Sequence, residues 1–451
     1  MALEKQILDQ IRELIEKRDF ASLRKLAEDF APADIAEIFS ESDEEDLLIL
    51  FRLLPKDTAA ECFVEMDTDV QQSLIEALSD KELTEIVDDL FLDDAVDIIE
   101  EMPANMVKRI LENTSPETRA RINQLLKYPK DSAGSIMTVE FVELRAKMTV
   151  AEAFERIRAT GLDKETVYTC YVTDDRRTLI GIVTVKDMLL AGNDAVVGDI
   201  MTTTIISVTT TTDKEETAKT LAKYDFMALP VVDNEDRLVG IVTVDDAIDV
   251  IKEEDTEDIE LMAAILPSDK PYLKTSVFEI WKKRIPWLLL LMVSATFTGA
   301  ILRNFENALA AVPVLIAFIP MIMDTGGNAG GQASATIIRG LSLGDIEMRD
   351  ILRIIWKEVR VALMCGAALA VVNFGKIMLF HEAQTWQQAA VVCATLALAI
   401  VIAKIVGCSL PILAKRIGFD PAVMASPFIT TIVDALALLV YFGIAKTVLQ
   451  M

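Results

Sequence analysis

The sequence predicts a multidomain chain: an all-α, superhelical N domain, an α/β module made of two repeats, and an α-helical transmembrane domain of five spans. Three observations carry that prediction. Residues 1 to 270 hold 29 Lys and Arg against 61 Asp and Glu, a net charge of −32, whereas from residue 271 onward the net is +5. The segment LIGIVTVKDML (Leu179 to Leu189) recurs 59 residues later as LVGIVTVDDAI (Leu238 to Ile248). Beyond Pro286, apolar segments follow one another to the C-terminus, each near the length of about 20 residues that crosses a bilayer.

The charge pattern excludes some functions at once. A half of net charge −32 repels itself and the phosphates of nucleic acid, and it suits divalent cations. Cys62, Cys170, Cys365, Cys393 and Cys408 show no CxxC spacing, which argues against a disulfide framework or a zinc site. The opening MALEKQILDQ is polar and amphipathic, without a signal peptide, so the acidic half is expected in the cytoplasm.

Residues 1–128 read as helices throughout. Apolar positions recur at three and four, as in Ile7, Ile11, Leu14 and Ile15. Breaks fall at APAD, LPKD, LSDKE and MPAN, where a proline or a Ser/Asp cap opens the next helix. Short helices joined by two- to four-residue turns predict a superhelix of hairpins. Acids crowd at Asp88, Asp89, Asp93, Asp94, Asp97, Glu100 and Glu101, and Asp93 and Asp97 share a helical face. That face is either solvated or a cation site completed by another domain.

Residues 131–253 hold the repeat, at about 131–192 and 196–253. Each copy opens with IMT (Met137, Met201) and continues as strand, helix, two short strands and a helix. This is βαββα with valine-rich buried strands, and two copies are expected to pair face to face. An acidic stretch, DDAIDVIKEEDTEDIELMAAI from Asp245, leads on, and residues 254–284 are expected as an acidic connecting helix. Asp246, Asp249, Glu253, Glu254, Glu257, Asp258 and Glu260 stack on overlapping faces, where like charges four apart destabilise an isolated helix. Such a helix wants cations.

Residues 285–451 are expected as the pore domain, with spans near 287–302, 312–338, 361–379, 389–413 and 423–445. Ten basic residues, among them Lys282, Lys283, Arg284, Arg339 and Arg353, fall on flanks that share the side of the acidic half. Arg303, Lys376 and Lys446 fall on the other. The positive-inside rule then places the N-terminus in the cytoplasm and the C-terminus outside. His381, the single histidine, falls in an outer turn and reads as a surface residue.

Two spans carry polar chemistry. The stretch PVLIAFIPMIMDTGGNAGGQASATIIRGL, Pro313 to Leu341, sets Asp324, Asn328 and Gln332 among Gly326, Gly327, Gly330 and Gly331. A carboxylate at membrane depth costs a few kcal/mol unless it faces water or a partner. The glycines let another helix or a hydrated ion approach the backbone. The last span, GFDPAVMASPFITTIVDALALLV, sets Asp420 at its cytoplasmic entry and Asp434 deep inside, with Thr430 one turn before Asp434 and Thr431 beside it. Asp434 has no basic neighbour within a turn, so it reads as a functional carboxylate.

The repeat, with its G-I-V-T-V-[KD]-D ends, resembles a CBS-domain pair, a regulatory module that often binds adenine nucleotides such as ATP. With PMIMDTGGNAGGQ and FDPAVMASPFITTIVD in place, the chain resembles the MgtE-type magnesium channels along nearly its full length. That resemblance implies a homodimer with its pore at the dimer axis, a selectivity site at Asp434 from both subunits, and cytoplasmic Mg2+ that holds the channel closed. The regulatory ligands it implies are Asp93, Asp97, Asp213, Glu215, Asp246, Glu254, Glu257, Asp258 and Asp420. Asp255 stands where the family pattern leads one to expect a small residue.

Competing readings are a nucleotide-regulated secondary transporter of another divalent cation (Mn2+ or Co2+), and a membrane sensor whose spans only anchor it. The first predicts inverted repeats among the spans, and none is visible. The second leaves Asp324 and Asp434 unexplained. No nucleophile–base constellation, P-loop or GxGxxG points to an enzyme.

Overall fold

The structure, a computed structural model, describes residues 10–11, 13–15, 17–27, 30–40, 42–268, 272–273, 275–306, 310, 312–380, 382–424 and 426–449. The expectations for Ile7 and His381 lie outside the described residues. The chain divides into two compact units, Met1–Ile251 and Lys252–Met451.

The first unit opens with helices α1 (Phe20–Ala27), α2 (Pro32–Ser40), α3 (Glu44–Leu53), α4 (Lys56–Val64), α5 (Thr68–Ala77), α6 (Asp80–Asp89), α7 (Leu92–Glu101), α8 (Ala104–Asn113) and α9 (Pro116–Leu125). Local chemistry starts them. Ser79 and Glu82 form a capping box at α6, the Ser115 hydroxyl accepts from Thr118 N at 3.1 Å at α9, and Pro55 and Pro103 precede α4 and α8. Packing runs two ahead: α1 on α3, α2 on α4, α3 on α5, α4 on α6, α6 on α8 and α7 on α9. This is the predicted superhelix, each short helix burying one apolar face against the next turn.

The repeats follow as β1 (Phe141–Arg145), α10 (Val150–Thr160), β2 (Thr166–Thr173), β3 (Leu179–Thr184) and α11 (Val185–Leu190), then α12 (Val197–Ile200), β4 (Val208–Thr209), α13 (Lys214–Tyr224), β5 (Ala228–Val232), β6 (Leu238–Thr243) and α14 (Val244–Met262). Each copy makes a three-stranded sheet whose first pair is parallel and second antiparallel. The opening IMT segments trade places. Thr138 exchanges backbone hydrogen bonds with Ile241 of the second copy, and Thr202 with Ile182 of the first. Met137 lies on Gly240 and Met201 on Gly181; a Cβ at Gly240 would stand 2.6 Å from the Met137 sulfur. The copies also differ in their cores. The first closes a core of its own around Val142, Leu144, Val172 and Met188. In the second, Leu229, Val231 and Val242 join the core of the N-terminal helices.

The acidic helix is not bounded as expected. It starts at Val244, directly after β6, and stops at Met262 instead of running over 254–284. Ala264 adopts a left-handed φ of 57° and Pro267 follows, either of which stops a helix. Ser276 then caps a new helix by accepting from Glu279 N at 3.2 Å.

The second unit contains the last turns of α14, then α15 (Val277–Asn304), α16 (Ile319–Ser342), α17 (Ile351–Leu379), α18 (Trp386–Arg416) and α19 (Ser426–Leu449). Among the described residues, four helices are long and apolar enough to cross a membrane: Val277–Asn304, Met348–Leu379, Trp386–Arg416 and Pro427–Leu449. The helix α16 has 24 residues and so the length, but its acid, amides and glycines lower its apolarity. α18 packs against α16, α17 and α19, and α16 also packs against α19.

Candidate ion pathway and acidic cluster

α16 has two opposite faces. Asp324, Asn328 and Gln332 are four apart and all exposed. Gly326, Gly327, Gly330, Ala333 and Ile337 are buried on the other side. A Cβ built at Gly326 would stand 2.9 Å from Cγ1 of Val433, one at Gly327 3.0 Å from Cγ2 of Thr430, and one at Gly330 2.6 Å from Cγ2 of Ile429. A Cβ on Gly407 of α18 would meet the carbonyl of Gly330 itself. Of the two uses foreseen for these glycines, the structure shows the close approach of helices. The polar side chains stand opposite.

α19 brings the second carboxylate. Asp434 is half-buried, and its charge interacts with that of Asp324. Thr430 and Thr431, both half-buried, donate their hydroxyls to the Pro427 carbonyl at 2.9 and 3.1 Å. Their oxygens therefore serve the proline turn of the backbone, with lone pairs left over.

Beside these helices, the end of α14 is anchored. Leu261 packs with Ile338 of α16 and with Ala422, and Asp255 pairs with Arg339 of α16 at 2.9 Å. Asp420 is exposed and accepts from Ala422 N at 2.7 Å, shaping the turn before α19. Glu254 and Asp258 are half-buried and Glu257 is exposed. Sequence reasoning missed two contacts. One is Asp255–Arg339. The other is the buried ion pair of Lys404 with Glu358, 3.2 Å apart, which joins α18 to α17. A lone lysine within the apolar run of α18 was the readable signal for the latter.

The first unit gathers a different set. Asp93 is 5% exposed, and its Oδ1 has no hydrogen-bond partner. Burial, then Asp246, Asp94, Glu165 and Glu140, hold its carboxyl well above the carboxylate range. Burial followed by Asp246 pushes Asp94 up to about 7, and burial followed by Asp94 pushes Glu165 up to about 8. Asp246 rises to about 6 through burial, opposed by the Thr243 hydroxyl that donates to it at 2.5 Å. Glu140 accepts from Leu92 N at 3.0 Å and so caps α7. Asp97 is exposed, with Asp246 and Asp94 as charged neighbours. Asp213 and Glu215 serve α13 instead: Asp213 accepts from Glu215 N at 2.9 Å as its cap, and Glu215 pairs with Lys219. Among the described residues, no three His, Cys, Asp or Glu side chains are placed to hold a bare ion.

The chain matches three family models. Residues 319–444 match the MgtE divalent cation transporter, 30–131 the MgtE intracellular N domain, and 133–194 and 197–253 the CBS domain. It is 36% identical to the magnesium transporter MgtE of Thermus thermophilus, over 99% of this chain and 100% of the relative. It is 33% identical to that of Bacillus subtilis, over 95% and 93% respectively. A crystal structure of the cytosolic domain of the Mg2+ channel MgtE in complex with ATP is 37% identical, with a TM-score of 0.52 over 54% of this chain and 99% of that one. The soluble part of a magnesium transporter is 29% identical, with a TM-score of 0.53 over 56% and 99%.

Proposed function

The chain belongs to the MgtE family of magnesium transporters, and from that premise we propose that it is a homodimeric, Mg2+-selective channel of the cell membrane. It imports Mg2+ and closes when Mg2+ binds between its acidic cytoplasmic domains. The observation that carries this reading is the exposed stripe Asp324, Asn328 and Gln332 on a helix wedged between α18 and α19. Such a stripe does not face hydrocarbon, so a second copy and a water-filled path cover it.

Asp434, one from each subunit, is the selectivity carboxylate, with Asp324, Asn328, Thr430 and Thr431 along the path and Gly327 holding the helices together. Mg2+ dehydrates reluctantly and is held through its waters by one or two carboxylates, which suits sparse acids. Calcium asks for more direct oxygen ligands.

Closure follows from charge. At low Mg2+ the acids of the cytoplasmic half repel and its domains part. At high Mg2+, bridging ions at Asp93, Asp97 and Asp246, at Asp213 and Glu215, and at Glu254, Glu257, Asp258 and Asp420 draw the connecting helix against the pore. The ion favours the closed state because that state has more sites. The CBS pair is proposed to bind ATP or another adenine nucleotide, a reading supported by the ATP complex of the related cytosolic domain. The basic flanks support a cytoplasmic N-terminus and an outer C-terminus.

The test is Mg2+ uptake by liposomes carrying the intact protein or Asp434→Ala, at low and high internal Mg2+. Loss of flux in the variant, with inhibition of the intact protein by internal Mg2+, supports pore and gate together. Unchanged flux removes Asp434 from the filter. A larger flux of Mn2+ or Co2+ than of Mg2+ favours transport of another divalent cation, in keeping with the broader family description.

A further inference from the structure

The helix α15 is longer than a membrane requires. Its 28 residues extend about 42 Å at about 1.5 Å each, against a hydrocarbon core of about 30 Å. The uncharged run from Ile285 to Leu302 accounts for the core. Two turns, Val277 to Arg284, are left over at the N-terminal end.

Those turns carry exposed aromatic rings and a run of three cations, with a single acid, Glu279, in the first turn. Phe278 and Trp281, 70% and 53% exposed, stack with ring centroids 5.4 Å apart. Lys282, Lys283 and Arg284 come next, and none has an ion-pair partner among the described residues. Ser276 caps the helix, and the Lys283 carbonyl accepts from Leu266 N at 3.2 Å, so the chain that follows α14 is tied to these turns.

We propose that Val277–Arg284 is a binding site for the headgroups of anionic phospholipids. The proposal rests on α15 crossing the bilayer. Ile285 then enters the hydrocarbon, which leaves the three cations at the level of the lipid phosphates and the stacked rings at the interface, where aromatic side chains favour the headgroup region. A zwitterionic headgroup neutralises its own phosphate, whereas an anionic one leaves a charge for Lys282, Lys283 and Arg284. Lipid, not the acidic half of the chain, is the occupant, because the apolar run that adjoins the cations fixes their depth.

The experiment uses the full chain in mixed micelles without divalent cations. Quenching of Trp281 by brominated phosphatidylglycerol is compared with quenching by brominated phosphatidylcholine, the signal being the difference between the intact chain and Trp281→Phe. The expected result is a preference for the anionic lipid that falls about fivefold for each charge removed by Lys282→Gln, Lys283→Gln and Arg284→Gln. In the triple variant both lipids quench alike. The variant Lys282→Arg/Lys283→Arg/Arg284→Lys keeps the preference. A preference unchanged in the triple variant, or none in the intact chain, overturns the site while leaving the membrane reading of α15 standing. Quenching by neither lipid overturns both.

Discussion

Carboxylates are used in opposite ways in the two halves of the molecule. In the first unit they are crowded: Asp93, Asp94, Glu140, Glu165 and Asp246 feel one another, and burial raises four of them toward neutrality. In the apolar helices of the second they are sparse: Asp324 and Asp434 are the only acids of α16 and α19, whose bases, Arg339 and Lys446, stand near the helix ends. A crowded set responds to how much cation is present, because its repulsion is relieved by a bound cation or by protons. In the proposed channel, the isolated pair is the part that sets where a cation passes.

The comparison breaks most visibly at Asp434. Asp434→Ala is expected to lower Mg2+ flux in liposomes by roughly one to two orders of magnitude, since a few kcal/mol separate a served from an unserved charge in the membrane. Neutralising Asp93 instead leaves maximal flux intact and raises the internal Mg2+ needed for half-inhibition by about five- to tenfold, within the usual span of coupling energies. If Asp93→Asn abolished flux, the division between sensing and conduction would fail.

Packing comes next. Gly330→Leu forces a side chain onto Ile429 and is expected to cost about 1–3 kcal/mol or more, read as a lower melting temperature in detergent. Gly299→Leu, with no atom within 4 Å of its added Cβ, is expected to melt like the parent.

pH sharpens the contrast from the soluble side. Asp93, Asp94, Glu165 and Asp246 have carboxyls raised above their ordinary values. The contribution of these four groups to the metal-free arrangement of the N-terminal helices on the CBS pair is therefore fully present below about pH 4 and is lost as pH rises toward about 8. Protease protection without divalent cations is expected to fall over that window, and added Mg2+ to restore it at the upper end.

The smallest effect belongs to Asp255 and Arg339. Their pair is half-exposed, so a double-mutant cycle on half-inhibition by Mg2+ is expected to show coupling of about 1 kcal/mol or less. Coupling well above that would mean the pair is desolvated in the closed channel.

Much was readable in advance because it depends on order along the chain. Periodicity yields the short helices of residues 20–125, the 59-residue repeat yields two βαββα units, and apolar length yields the spans. The stripe of Asp324, Asn328 and Gln332 is equally a matter of helical spacing. Tertiary structure alone decided what each piece touches. Met137 and Met201 cross to the opposite copy, and the core of the second repeat merges with the N-terminal helices. Gly326, Gly327 and Gly330 seat α19, while Lys404 finds Glu358 and Arg339 finds Asp255. The physical reason is range. Periodicity, capping and hydrophobic length act between residues a few positions apart, whereas these paired contacts join positions 20 to 107 residues apart, where only three-dimensional packing chooses the partner.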